Sequence, residues 1–166
     1  MKVESYKIKG WEEGVIGVLI KENEEWVLIG DISSDYHVDG YALLRKSKIK
    51  KRSTKDWENQ VALVLSLQKY EPSLRKGFKF GSLESMLKWI QKEYGIFAFQ
   101  DKIEESMEVG TMEDITDKVL GLNFLMTDGR YDDDYIYDYK VNQIRKVSFG
   151  THYLNALDLL QAHHAE

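Results

Sequence analysis

The residues with chemical potential fall into two charged stretches of opposite sign. Arg45-Lys46-Ser47-Lys48-Ile49-Lys50-Lys51-Arg52-Ser53-Thr54-Lys55 holds seven basic residues and no acidic one. On an extended strand Lys46, Lys48, Lys50 and Arg52 share one face, and cations at that spacing neutralise successive phosphates, the chemistry of salt-dependent nucleic-acid binding. Lysines on a strand equally protect a sheet edge from pairing with another chain. The second stretch is Asp132-Asp133-Asp134, with Asp128 and Asp138 nearby. Carboxylates are hard ligands for a divalent cation, but the loop lacks a glycine at the sixth position and a glutamate at the twelfth, so no metal is expected there. An acidic loop can instead meet the basic strand of another copy, head to tail. Tyr135, Tyr137 and Tyr139 alternate onto one strand face beside Asp132 and Asp133, and form either a partner surface or an aromatic ladder packed on the fold. The interleaved Asp138 repels phosphate and favours a protein or small-ligand contact.

Nothing else in the chain has the spacing of a catalytic or cofactor site. His163 and His164 are adjacent, so on a helix they point about 100° apart rather than forming the i, i+4 pair of a metal helix. Tyr36, His37 and Asp39 read as turn residues, and His152 lies beside a helix cap. There is no Gly-x-Ser-x-Gly elbow, no Gly-x-Gly-x-x-Gly loop and no Gly-Lys-Thr loop. With no cysteine, thiol nucleophiles and thiolate metal sites are excluded. Neither catalytic residues nor a cofactor are expected, and the chain does not read as an enzyme.

The elements that position these stretches repeat. Val27 to Arg52 runs as an apolar strand, a Ser/Asp/Gly turn, an aromatic-led strand and a basic strand centred on Ile49. Val119 to Val147 runs the same way, with Ile144 as the counterpart of Ile49. A Gly-Val strand precedes each copy and an apolar helix follows each. The spacing predicts strands at 2–9, 14–21, 26–32, 41–44 and about Ile49, then a helix capped by Ser53 or Thr54. After a basic connector, Ser82 caps a second helix in which Leu83, Met86, Leu87, Ile90 and Tyr94 fall on one face, and Gly95 ends it. Strands follow at 96–99, 108–116, 119–126, 135–139 and 143–149, then a helix capped by Thr151. The expected organisation is a first repeat at 1–70, a connector at 71–81 and a second repeat at 82–166.

A chain of 166 residues with ten Tyr, six Phe, four Trp and one Pro is long enough to bury a sizeable core and is not of disordered composition. The net charge of −5 divides into +3 on residues 1–80 and −8 on residues 81–166, so the halves differ electrostatically and nucleic acid is disfavoured as a partner. The apolar runs are too short for a membrane span and the N-terminus has no apolar leader, which makes a cytoplasmic location the expectation.

The Ser82–Tyr94 helix, the Gly110-bearing strand, the long strand with its Asp128-Gly129 turn and the Tyr135–Phe149 pair joined near Val141-Asn142 resemble the Sm-like family. The resemblance implies a mainly β fold with α (α+β): two tandem, sequence-related, five-stranded Sm-like barrels, each with flanking helices. RNA-binding Sm proteins carry an Arg/Lys-Gly pair in the last two strands. Here Lys46-Ser47-Lys48 and Lys140-Val141-Asn142 stand in that place without glycine, so the resemblance implies the fold and not the RNA pocket. The chain also looks like bacterial proteins sharing a turn, Asp-Gly, strand, Ile-Arg/Lys pattern, which implies no activity. The expected function is a non-enzymatic protein-interaction or self-assembly module, and the alternative is RNA or DNA binding through the strand at 45–55.

Overall fold

The β-branched run Val15-Ile16-Gly17-Val18 cannot be buried by its own hairpin. In the computed structural model, which describes residues 1–166, the strand carrying it, β2 (Val15–Glu22), lies between β1 (Val3–Ile8) and β3 (Trp26–Ser34). Asn23 closes the β2–β3 turn, its Oδ1 accepting from the amides of Glu25 and Trp26 at 3.0 and 2.8 Å. β4 (His37–Arg45) folds back on β3, and after a three-residue 3₁₀ turn β5 (Ile49–Ser53) returns to pair with β1. Helix α1 (Asp56–Leu67) then buries Val61 and Leu65 against Val3, Val18 and Ile32. Its cap differs from the expectation. Thr54 Oγ1 donates to the Val3 carbonyl at 3.0 Å, and the start is held by the Lys55 amide donating to Glu58 Oε2 at 2.9 Å. Thr54 is drawn off by the neighbouring strand.

Helix α2 (Leu83–Tyr94) begins where Ser82 Oγ accepts from the Ser85 amide and ends at Gly95, whose φ of +89° is the left-handed geometry a glycine supplies. It leads β6 (Phe97–Gln100), β7 (Glu108–Ile115), β8 (Val119–Phe124) and β9 (Tyr137–Lys140). A second 3₁₀ turn, Val141–Gln143, precedes β10 (Lys146–Phe149), and α3 (His152–His164) follows, capped by Thr151. Ile144 is buried and Ile49 half-buried, each just after its 3₁₀ turn.

The ten strands form one antiparallel sheet in the order β5-β1-β2-β3-β4-β10-β6-β7-β8-β9. This overturns the expectation of two separate five-stranded barrels, because the sheet is continuous and does not close into a barrel. The reason lies at the seam. β4 and β10 would each present unpaired backbone groups, and they satisfy one another with Leu44 opposite Lys146, Leu43 opposite Val147, Ala42 opposite Ser148 and Tyr41 opposite Phe149. The largest apolar cluster follows that pairing: Trp26, Leu28, Tyr41 and Leu43 of the first half pack with Met86 and Leu87 of α2 and with Phe97, Val147 and Phe149 of the second. Separating the halves would expose this surface to water.

Within β1–β5 and within β6–β10 the strand order is the same, fifth, first, second, third, fourth. The register also breaks at matching places, between Leu19 and Lys21 on β2 and between Met112 and Asp114 on β7.

Candidate functional site

The structure brings the basic stretch to one end of the sheet, where β5 is an edge strand. Lys46, Lys48, Lys50 and Arg52 do not share a strand face, since Lys46 and Lys48 lie on the 3₁₀ turn before β5 begins. Two of the four cations are already paired. Lys46 Nζ is 2.7 Å from Glu22, and Arg52 bonds Glu4 at 2.7 Å through Nε and Glu22 at 2.9 and 2.8 Å through Nη1 and Nη2. Lys2 adds a contact to Glu4 at 2.9 Å, so three cations surround two carboxylates. The Arg52 and Lys46 hydrogen bonds hold the Glu22 carboxyl down at about 2 against partial burial. Burial raises the Glu4 carboxyl, but the bonds from Arg52 and Lys2 outweigh it and the net shift is downward. Beneath the network the Arg52 guanidinium sits 5.5 Å from the Tyr6 ring centre. The Tyr6 hydroxyl is buried without a hydrogen-bond partner, and burial with the Glu4 charge pushes its pKa up.

The acidic and aromatic residues occupy the opposite end, where β9 is the other edge. Asp132 is half-buried, its Oδ2 accepting from the Tyr137 hydroxyl at 2.7 Å and its Oδ1 from the Asp134 amide at 3.2 Å. Asp133 is exposed. The three tyrosines do not make one surface. Tyr135 and Tyr137 are exposed, with rings 6.1 Å apart, whereas Tyr139 is turned edge-on to buried Phe99 at 4.9 Å and donates to Glu108 Oε2 at 2.9 Å. Burial, then that bond, raise the Tyr139 hydroxyl pKa. Ile136 lies exposed between the two outward tyrosines. The basic and acidic regions therefore lie on the two edges of one sheet, and neither reaches the other within the chain.

Several residues that tie the halves together went unseen in the sequence. Glu104 accepts from the amides of Glu12, Glu13 and Gly14 at 3.0, 3.2 and 2.9 Å, clasping a first-half loop from the second half. Trp11 Nε1 donates to the Asp101 carbonyl at 2.8 Å. Lys146 and Asp31 form a largely buried pair at 2.7 Å across the seam. Arg45 lies 4.6 Å from the Trp26 ring centre and donates to the carbonyls of Ile144 and Val141 at 2.8 and 2.9 Å, and burial lowers its pKa. Their cross-seam partners are about 90 to 115 residues away in sequence, and no local pattern marks such a pair.

Comparison with protein-family models, with curated proteins and with solved structures gave no match. No helix is long and apolar enough to cross a membrane.

Proposed function

We propose that this chain is a non-enzymatic, cytoplasmic self-assembly module, built from two copies of one five-stranded unit (1–70 and 82–166, joined by 71–81), that binds further copies of itself edge to edge. The observation that carries the reading is the β4–β10 seam. It is a worked example, inside the chain, of how the fourth strand of one unit accepts the fifth strand of the next. The two strands left with a free outer edge at the ends of the sheet are the other fifth strand, β5, and the other fourth strand, β9.

Equivalent residues follow from the registers. Arg45 opposite Trp26 and Leu44 opposite Val27 in the first unit correspond to Lys140 opposite Val119 and Tyr139 opposite Leu120 in the second. Arg52 opposite Tyr6 and Ser53 opposite Ser5 correspond to Val147 opposite Phe99 and Ser148 opposite Ala98. Carrying the seam register outward sets Lys51 against Tyr139 of a second copy, Arg52 against Asp138 and Ser53 against Tyr137. Asp138 thereby meets the cluster in which three cations surround two carboxylates, and it balances the odd charge. The +3 and −8 halves give the approach the same polarity. Contacts of this kind are head-to-tail and produce a ring where the rotation closes and a filament where it does not.

Sedimentation velocity over a concentration series tests the reading. Mass rising with concentration and falling with added salt supports it; a monomer throughout sinks it. The nucleic-acid alternative rests on Lys48 and Lys50, which have no carboxylate within ion-pair distance, and predicts binding whose affinity falls steeply with salt.

A further inference from the structure

A separate pocket opens on the seam, away from both edges. Tyr41 of β4, Tyr70, Ser73 and Arg75 of the connector and Tyr94 at the end of α2 line a recess of about 240 Å³. The polar side chains that line it are hydroxyls and one guanidinium. Tyr41 Oη accepts from the Ser73 amide at 3.0 Å and lies 3.4 Å from Ser73 Oγ, and Tyr94 Oη accepts from the Arg75 amide at 3.0 Å, which leaves the Tyr94 hydroxyl proton for another acceptor. The Tyr70 hydroxyl makes no hydrogen bond and lies close to Gly30 of β3. Burial raises the pKa of Tyr70 and of Tyr94, so both remain donors at neutral pH. Arg75 lies 4.9 Å from the Tyr94 ring centre, bonds the Glu93 carbonyl and, alone among the exposed arginines, has no carboxylate partner. No carboxylate lines the recess.

Phenol donors, an aromatic wall and an unpaired guanidinium call for an occupant that supplies acceptors, a negative charge and a flat ring. The volume falls below the roughly 300–1,000 Å³ of drug-sized sites, which leaves room for one ring and its anionic substituent. We infer that the seam pocket binds a small aromatic anion, an aryl phosphate or aryl carboxylate, with the anionic group on Arg75 and the ring among Tyr41, Tyr70 and Tyr94. The occupant bridges the connector to β4 and α2 and so rigidifies the link between the halves.

The test is a titration of the intact chain with phenyl phosphate at 0.15 M salt, followed by the amide resonances of Gly40 and Gly150, which lie in the pocket lining. Saturable shifts with a dissociation constant on the order of 1 mM or tighter are expected, the affinity a ligand of about eleven non-hydrogen atoms reaches at ordinary efficiency. Arg75→Gln should weaken binding at least tenfold with an unchanged thermal midpoint. Lys76→Gln, outside the pocket, should leave binding intact, and phenol should bind far more weakly than its phosphate. Absent or unsaturable shifts, equal binding of phenol, or equal loss in the two variants would overturn the inference. Edge assembly is untouched by any of these outcomes.

Discussion

Replacing Phe149 by alanine probes whether the two halves form one cooperative unit. The ring is fully buried and contacts three others: Tyr94 at 5.1 Å, Tyr41 at 5.6 Å and Trp89 at 6.1 Å between centres. Truncating a buried phenylalanine costs about 3–5 kcal/mol in all, and three favourable aromatic pairs place this site at the upper end of that range, about 5 kcal/mol. At about 2–4 °C per kcal/mol for a chain of this size, the thermal midpoint should fall by roughly 10–20 °C. Because Phe149 sits in the cluster that includes Trp26 and Leu28 on one side and Phe97 and Leu122 on the other, the loss should be felt on both sides of the seam. Urea unfolding followed by far-UV dichroism and tryptophan fluorescence should shift together with an unchanged slope. Hydrogen exchange at the amides of β3 and β8 should accelerate by the same factor. A loss under about 1 kcal/mol, or a second transition with β3 protection intact, would refute the single-core argument.

Three further outcomes follow from the charged groups. Glu22, held at about 2 chiefly by Arg52, contributes stability that is complete above its unfolded value of 4.5 and lost as pH falls toward 2; Arg52→Gln should return its carboxyl resonance midpoint toward 4.5 in an NMR titration. Burial raises the Glu104 carboxyl, but the amides of Glu13, Gly14 and Glu12 outweigh that and lower it. The clasp should therefore hold above pH 4.5 and loosen below it, and Glu104→Gln should speed exchange at the Glu12, Glu13 and Gly14 amides at neutral pH, read by amide exchange NMR. Finally, fluorescence anisotropy with single-stranded RNA and duplex DNA at about 0.15 M salt should show no submicromolar binding. If binding is seen and Lys48→Glu with Lys50→Glu abolishes it, each lost contact lowering the log–log salt slope by about 0.7–0.9, the nucleic-acid alternative replaces self-assembly.

Local features were legible in the sequence because their causes are local. Ser82 and Thr151 cap their helices as their positions demand, and Gly95 ends α2 in the left-handed region that a side chain disfavours. The strands emerged from short apolar and alternating runs bounded by turn residues. What stayed hidden is the pairing. β10 is only Lys146-Val147-Ser148-Phe149, and nothing in four residues states that its free side will meet Leu44 to Tyr41 rather than close on its own half. Arg52 and Lys46 looked like phosphate contacts because Glu22 and Glu4, which claim them, lie on strands far earlier in the chain. Tyr139 shares the parity of Tyr135 and Tyr137, yet it alone has Phe99 and Glu108 to receive it.

The edge-to-edge claim is tested most directly by its register. The chain has no cysteine, so every thiol is an introduced one. Ser53→Cys and Tyr137→Cys in one chain should, under mild oxidation, give disulfide-linked dimers and higher multiples on a non-reducing gel. Lys50→Cys with Tyr137→Cys, displaced along the strand, should give none. A ladder from the second pair as strong as from the first, or no ladder from either at concentrations where the protein sediments above monomer mass, would contradict the account.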